Sequence, residues 1–143
     1  MNIVCVSSSI ENWREKILKK YNAIEYNPKV HLKKRVLFFG LYSKNDCLRV
    51  WKHKGEKVVI WCGADILYLG QFRNWWRKWL LRLTKVRHIC ENFKEQEKLR
   101  KYGIKAEIIY NFFDDPSKYP ISFKPSDSPQ IWMISRPNRG RDY

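Results

Sequence analysis

The sequence predicts an α/β fold, and three observations lead to that prediction. Short apolar runs recur along the 143 residues, they are mostly continuous rather than alternating, and helix-like segments with capping residues lie between them. Continuous apolar runs are typical of strands that are covered on both faces. Strands that alternate with helices form right-handed crossover units. We therefore expect a Rossmann-like, mainly parallel sheet with helices on both faces.

Six apolar runs are the predicted strands. In chain order they are IVCV at 3–6, VLFF at 36–39, VVIWC at 58–62, HIC at 88–90, EIIY at 107–110 and IWMI at 131–134. Capping and stop residues mark three predicted helices between them. They are Ser8 and Glu11 for NWREKILKKY, Asn45 or Asp46 with Gly55 for CLRVWKHK, and Asn92, Glu95 and Gly103 for FKEQEKLRKY.

The sequence divides into three parts. Residues 1–112 are the predicted Rossmann-like domain. Residues 113–128 carry three of the six prolines and no periodic pattern, which indicates a linker. Residues 129–143 contain the run IWMI and are interpreted either as the start of a truncated second domain or as a terminal edge strand of the same sheet.

Charge and cysteine content limit the class of partner and the compartment. Lys and Arg number 29 against 14 acids, a formal net charge of +15, which attracts nucleic acid, anionic lipid or phosphorylated ligands. The four cysteines form no Cys-x-x-Cys pair, which favours reduced thiols, a cytoplasmic protein and no metal site. No apolar run approaches the roughly 20 residues that span a bilayer.

Ligands of open parallel sheets bind at the carboxyl ends of the strands, so the residues after each run are candidate site residues. These candidates are Gly40, Leu41, Tyr42, Gly63, Ala64, Asp65, Asn92 and Asn111. Gly40 and Gly63 permit close approach to a ligand or only a tight turn. Asp65 fits a proton acceptor, a group that binds sugar hydroxyls or a cap of the following turn. Asn92 and Asn111 are most simply a helix cap and a loop residue.

Common catalytic signatures are absent from the sequence. It contains no Gly-x-Gly-x-x-Gly or Gly-x-x-x-x-Gly-Lys loop and no Gly-x-Ser-x-Gly turn. The three histidines are scattered along the chain, which indicates structural roles rather than metal binding.

Three segments carry a resemblance to a known family. KVVIWCGADIL at 57–67 has a strand ending in a Gly-x-Asp turn, HICENFKEQEKLRKYGIKAEIIYNFFD at 88–114 has a strand, helix, strand and loop, and IWMISRP at 131–137 begins another strand. In order and spacing they resemble the N-terminal domain of a GT-B glycosyltransferase and the first strand of its donor domain. Cys62 stands where members often have a histidine, and Tyr110 and Phe112 replace a loop proline and glycine.

The resemblance implies a division of labour between two domains. The N-terminal domain holds the acceptor, a glycan or a lipid-linked molecule, and the C-terminal domain binds the nucleotide sugar, the co-substrate of the full enzyme. This chain would then bind no cofactor and be inactive alone. Asp65 would be the base or an acceptor-orienting group, and the other strand-end candidates would line the acceptor groove. The alternative, from the residues alone, is a non-catalytic basic α/β module that binds nucleic acid or another polyanion.

The segment QFRNWWRKWLLRLTK, residues 71–85, raises a separate question. At helical spacing, Phe72, Trp75, Trp76, Trp79, Leu80 and Leu83 share one arc, and the basic residues share the rest with Leu81 as the exception. One interpretation packs the tryptophans on the sheet and leaves the charges in water. The other is docking on an anionic membrane, since tryptophan favours interfaces and residues 66–90 contain no acid. The predicted membrane-binding residues are Arg73, Trp75, Trp76, Arg77, Lys78, Trp79 and Arg82.

Overall fold

The fold is built on one parallel sheet. The computed structural model describes residues 1–71 and 74–109. The six strands in this part of the chain are β1 (Asn2–Val6), β2 (Ala23–Glu25), β3 (Val36–Phe39), β4 (Lys57–Ile60), β5 (Arg87–Cys90) and β6 (Ala106–Ile108). They lie in the order β2-β1-β3-β4-β5-β6, and every neighbouring pair is parallel. The predicted Rossmann-like parallel sheet is therefore confirmed.

Helices cover the sheet on two faces. They are a 3-10 helix (Ser8–Trp13), α1 (Arg14–Lys20), α2 (Pro28–His31), α3 (Lys44–Lys52), α4 (Ala64–Gly70), α5 (Trp75–Leu83) and α6 (Phe93–Lys101). Ile17 of α1 packs with Val4, Phe39 and Ile60 in one apolar cluster. The buried side chains of α3, α4, α5 and α6 form a second cluster with the other face of the strands. We call these the α1 face and the α3–α6 face.

Alternation along the strands explains why both faces are buried. Neighbouring residues of β3 and β4 enter opposite clusters: Phe38 and Val59 face α3–α6, whereas Phe39 and Ile60 face α1. A parallel strand covered on both sides needs an apolar residue at every position, which is why the runs in the sequence are continuous.

The strand order places a switch point between β1 and β3. From β1 the chain moves outward to β2, and then it crosses to β3 and proceeds through β4 and β5 to β6. In doubly wound sheets ligands bind in the crevice outside the carboxyl ends of the strands at such a point. We call this side of the sheet the carboxyl edge.

Sequence patterns missed or misplaced several elements. Strand β2 was not predicted, because AIE is three residues long and pairs on one side only, with β1. Helix α3 is capped by Ser43 and not by Asn45 or Asp46; Asp46 is the third helical residue and completes a capping box. Gly55 does not adopt a left-handed conformation. It is needed because a Cβ there would collide with the Lys34 carbonyl.

Helix α6 confirms its predicted signals. Asn92 caps it by accepting a hydrogen bond from the Glu95 amide, and Gly103 follows it with φ of +75°. Some predictions lie outside the described residues: Phe72, Arg73, Asn111, the linker over 113–128 and the last segment over 129–143. The 1–112 boundary and these assignments stay predictions.

Candidate functional site

Two glycine turns lie side by side at the carboxyl edge. Gly40 follows β3 with φ of +73°, and Gly63 follows β4 with φ of +82°. A Cβ at Gly40 would meet the Tyr42 ring at 2.6 Å. Residues that carry a Cβ rarely adopt a backbone conformation with such a positive φ, so both turns require glycine. The two turns follow β3 and β4, which are neighbours in the sheet. The predicted site residues after β3 and those after β4 therefore lie close together.

Asp65 joins these two turns from inside the protein. One carboxylate oxygen accepts a hydrogen bond from the Leu41 amide at 3.0 Å, and the other accepts from the amides of Cys62 at 3.1 Å and Ile66 at 3.0 Å. The residue is 0% exposed. Burial raises the pKa of Asp65 to about 6, and the backbone hydrogen bonds oppose that rise. Of its predicted roles, this geometry favours the cap of the following turn, because the buried carboxylate is bonded to backbone amides of both turns.

The Leu41–Tyr42 turn presents one aromatic side chain toward α4. Leu41 is buried in the core, so only its backbone can reach a ligand. The Tyr42 ring packs edge-on against Tyr68 with centroids 6.2 Å apart, and its carbonyl accepts a hydrogen bond from Arg77 at 3.4 Å. Burial, followed by the nearby Asp65 charge, raises the pKa of Tyr42 far above its usual value. Tyr42 therefore stays protonated at neutral pH, and its hydroxyl can donate a hydrogen bond to a ligand.

The Gly63 turn faces the start of α6. Ala64 begins α4, and Asn92 is an exposed helix cap, as its simplest interpretation predicts. A Cβ at Gly63 would lie 3.0 Å from the Glu95 carboxylate, which itself accepts a hydrogen bond from the Glu91 amide at 3.0 Å. Burial and the Glu95 charge raise the pKa of Glu91. Sequence reasoning treated Glu95 only as a capping signal and overlooked Glu91.

A second polar network at the switch point was also overlooked. The buried Asp46 carboxylate accepts hydrogen bonds from the Ser7 hydroxyl, the Ser43 hydroxyl and the Ser43 amide, each at 2.8 Å. It thereby ties the end of β1 to the start of α3. The spacing Ser43-x-x-Asp46 is the signal that identifies it, since a serine followed three positions later by an acid is typical of a capping box.

Helix α5 presents an apolar stripe to solvent. Trp75 is 63% exposed, Trp79 is 60% exposed and Leu83 is 65% exposed. Leu81, the predicted exception in the basic arc, is 1% exposed and anchors the helix in the core of the α3–α6 face. Trp76 is half-buried against that core. The interpretation that packs all the tryptophans on the sheet is therefore wrong for Trp75 and Trp79.

The predicted membrane-binding cations of α5 contact neighbouring elements. Arg77 donates to the Tyr42 carbonyl, and the Lys78 ammonium lies 4.5 Å from the centroid of the Tyr102 ring. Arg82 donates to the Tyr102 carbonyl at 2.7 Å while its side chain lies at the surface. These contacts fix the helix in the orientation that turns its tryptophans outward. Arg73 is outside the described residues.

Neither a metal-binding cluster nor a membrane-spanning helix is found among the described residues. Within 1–71 and 74–109, His, Cys, Asp and Glu form no cluster of three or more that suits a metal ion. In the same part of the chain, every helix is too short or too polar to cross a bilayer. The thiols of Cys5, Cys47, Cys62 and Cys90 are all free.

Comparisons with known proteins add no relative. The chain matches no protein-family model, no curated protein and no solved structure.

Proposed function

We propose that this chain is the acceptor-binding half of a glycosyltransferase and that it docks on an anionic membrane through α5. Sugar transfer from a nucleotide sugar is supported by the resemblance of residues 57–67 and 88–114 to the GT-B family. The carboxyl-edge turns at Gly40 and Gly63 support an acceptor groove there, because open parallel sheets bind ligands at the carboxyl ends of their strands. The observation that carries the membrane role is the exposed stripe of Trp75, Trp79 and Leu83, which we call the α5 stripe.

The α5 stripe has the composition of an interfacial surface. Its three side chains are four positions apart, so they lie on one side of the helix. Contiguous exposed apolar surface indicates a partner, and tryptophan is enriched where one end of a side chain is wet. Lys78 and Arg82 border the stripe, and residues 66–90 contain no acid. Each cation held near an anionic surface contributes about 1 kcal/mol, less with salt.

Helix α5 itself connects the α5 stripe to the acceptor turns. Arg77 lies two positions from Trp75 and from Trp79, so it projects from the opposite side of the helix, where it donates to the Tyr42 carbonyl. Docking of α5 would therefore hold the Tyr42 turn about one helix diameter, about 10 Å, from the lipid surface. That placement suits an acceptor that is itself linked to a lipid. Asp65 acts as a positioning residue, because its three backbone hydrogen bonds set the relative position of the two turns.

Vesicle co-sedimentation tests the membrane role. We expect the wild-type chain to sediment with vesicles of phosphatidylglycerol and phosphatidylcholine, and much less with phosphatidylcholine alone. Combined replacement of Trp75, Trp79 and Leu83 by alanine should abolish sedimentation while thermal unfolding stays unchanged. Trp13→Ala is the matched control, because Trp13 is also exposed but belongs to the α1 face.

Three results would contradict the membrane role: equal sedimentation with both vesicles, no sedimentation, or equal loss in the Trp13→Ala control. A single-stranded oligonucleotide, followed by fluorescence anisotropy at several salt concentrations, tests the alternative. Tight, salt-dependent binding of the oligonucleotide without vesicle binding would replace the proposal by the nucleic-acid module.

Nucleotide release tests the assignment of the two halves. Incubated with a panel of nucleotide sugars and a short-chain glycolipid acceptor, the chain alone should release no nucleotide above the uncatalysed rate. Binding of the glycolipid should shift the NMR signals of Gly40, Tyr42 and Gly63. Turnover by this chain alone would show that the donor site lies here and that the division is wrong.

A further inference from the structure

A pocket lies at the carboxyl edge, away from the Gly40 and Gly63 turns. It has a volume of about 220 Å³ and lies where β1 and β2 end. Six elements contribute to its lining, which consists of Cys5, Val6, Ser8, Arg14, Glu25, Tyr26, Pro28 and Arg49. It adjoins the switch point between β1 and β3, the position at which doubly wound sheets bind ligands. No predicted site residue lines it.

Two arginines from opposite faces of the sheet converge on this pocket. Arg14 belongs to α1 and pairs with Glu11 at 2.5 Å and with Glu25 at 3.5 Å. Its buried Nε finds no hydrogen-bond partner among the described residues. This nitrogen is therefore an unused donor close to the pocket. A buried donor without a partner is destabilising, and a rotation of the Arg14 side chain toward a bound anion would supply one.

Arg49 of α3 supplies the more accessible guanidinium. Its nearest carboxylate oxygen, on Asp46, is 4.0 Å away, the longest of the ion pairs found among the described residues. The other oxygen of Asp46 accepts three hydrogen bonds from Ser7 and Ser43, so Asp46 is held by β1 and α3 rather than by Arg49. The guanidinium also interacts with the Cys5 thiol, where it opposes the rise in the pKa that burial causes. The donors that Arg49 does not use there can take an external anion. A guanidinium binds carboxylate and phosphate oxygens in a two-pronged geometry.

The remaining polar groups of the pocket accept hydrogen bonds or exchange them. Glu25 keeps one pair with Arg14 and is otherwise exposed, and Ser8 offers an exposed hydroxyl. Tyr26 shares a hydrogen bond of 3.2 Å with His53, which fixes its ring at the wall. The carboxylate beside the two guanidinium groups weakens the binding of an anion that has no hydroxyl group, but it can accept a hydrogen bond from a hydroxyl. The combination selects a ligand that carries both an anionic group and hydroxyls.

We propose that this pocket binds the phosphate group of a small polyol phosphate, with Arg49 and Arg14 as donors to the phosphate and Glu25 as acceptor from a hydroxyl. The volume is smaller than the roughly 300–1,000 Å³ of drug-sized ligand sites, which suits a small ester and excludes a nucleotide. The phosphate can come from a soluble metabolite or from a lipid headgroup. The inference does not depend on sugar transfer or on the α5 stripe.

Calorimetric titration at constant ionic strength tests the pocket with glycerol 1-phosphate, inorganic phosphate and glycerol as probes. We expect saturable binding of glycerol 1-phosphate, weaker binding of inorganic phosphate and none of glycerol. Arg49→Gln should lower the affinity for glycerol 1-phosphate by at least about tenfold, which is the effect of losing a charged hydrogen bond. Arg35→Gln is the matched control, because the Arg35 side chain is 56% exposed and the Arg49 side chain is 52% exposed. Arg35 directly precedes β3, so it lies at the end of the strands opposite to the pocket.

Glu25→Gln separates the two parts of the proposed ligand. It should strengthen the binding of inorganic phosphate, because it removes a negative charge beside the phosphate site. It should also reduce the ratio of the affinity for glycerol 1-phosphate to the affinity for inorganic phosphate. Thermal unfolding of each variant verifies that it folds. Absence of saturable binding to wild type, or equal weakening by Arg35→Gln, would overturn the proposal.

Vesicles that contain phosphatidic acid identify the source of the phosphate. If Arg49→Gln reduces their sedimentation and glycerol 1-phosphate competes with them, the ligand is a lipid headgroup. If competition is absent while the soluble probe binds, the ligand is a soluble ester. Alanine substitution of the α5 stripe should leave glycerol 1-phosphate binding intact, so failure of the membrane role and failure of this site are distinguishable.

Discussion

Helices α3 and α5 have similar lengths and patterns but opposite relations to the core. Each has nine residues, mixes tryptophan with basic residues and lies on the α3–α6 face. Helix α3 buries Asp46, Cys47 and Val50, whereas α5 buries Leu81 alone. Three members of the apolar arc of α5, Trp75, Trp79 and Leu83, face solvent. An amphipathic pattern therefore defines two sides of a helix but does not decide which side faces the protein.

The ends of the two helices differ in the same sense. Ser43 and Asp46 form a complete capping box at the start of α3. Asn74 makes no capping hydrogen bond at the start of α5 and donates instead to the Tyr68 carbonyl. Helix α3 is thus stabilised by its own sequence and by the core. Helix α5 depends on one anchor and on polar contacts with its neighbours, which leaves its tryptophans available to a partner.

Leu81→Ala gives the largest expected effect and tests whether α5 has one anchor. Truncating a fully buried leucine typically lowers the free energy of unfolding by about 2–5 kcal/mol. Trp79→Ala should change it by less than about 0.5 kcal/mol, although it removes a larger side chain, because Trp79 is mostly exposed. Urea unfolding monitored by circular dichroism measures both. A larger loss for Trp79→Ala would reverse the assigned orientation of α5.

Two buried histidines extend the comparison to pH. His53 at the end of α3 has partners for both ring nitrogens, Tyr26 and the Lys34 carbonyl. His88, on the face that carries α5, has no partner for Nδ1 among the described residues, and burial lowers its pKa to about 4. Because only the unfolded chain binds a proton between pH 6.5 and about 4, the stability contributed by neutral His88 is complete above pH 6.5. It is lost as the pH falls through that window.

The expected loss from His88 reaches about 3 kcal/mol at pH 4. His88→Gln removes this titration, so its free energy of unfolding should fall less steeply between pH 6.5 and 4 than that of wild type. Urea unfolding at several pH values measures the two slopes, and the comparison of slopes is independent of any constant change caused by the substitution. Parallel slopes would show that His88 is not the group that titrates.

Ser43→Ala gives the smallest of the three expected losses of stability, after Leu81→Ala and the acid-induced loss from His88, and it tests the capping of α3. Loss of a serine cap typically lowers the free energy of unfolding by about 1 kcal/mol. Asn45→Ala is the control, since Asn45 lies exposed in the first turn and makes no cap. Thermal unfolding should separate the two variants. If Asn45→Ala were the more destabilising, the cap predicted from the sequence would be right and the structural assignment wrong.

Local sequence determined much of the fold. The run at 36–39 coincides with β3, and Asn92 and Gly103 delimit α6, because these signals act within a few residues. The glycines of the carboxyl-edge turns were also predicted, because only glycine adopts the required φ without strain. The continuous apolar character of the strands implied that both faces are covered, and they are.

Tertiary structure decided what local signals leave open. The edge strand β2 exists only through its pairing with β1, and a three-residue segment carries no pattern of its own. Asp65 appeared in the sequence as a strand-end acid, but its meaning depends on three amides from two turns that the sheet brings together. The pocket of Arg14 and Arg49 likewise joins residues from opposite faces of the sheet. Which side of α5 faces the sheet is set by the burial of Leu81 and by the contacts of Arg77 and Lys78 with other elements. Periodicity gives the relative angle of side chains around a helix, whereas only packing fixes the rotation of that helix against the sheet.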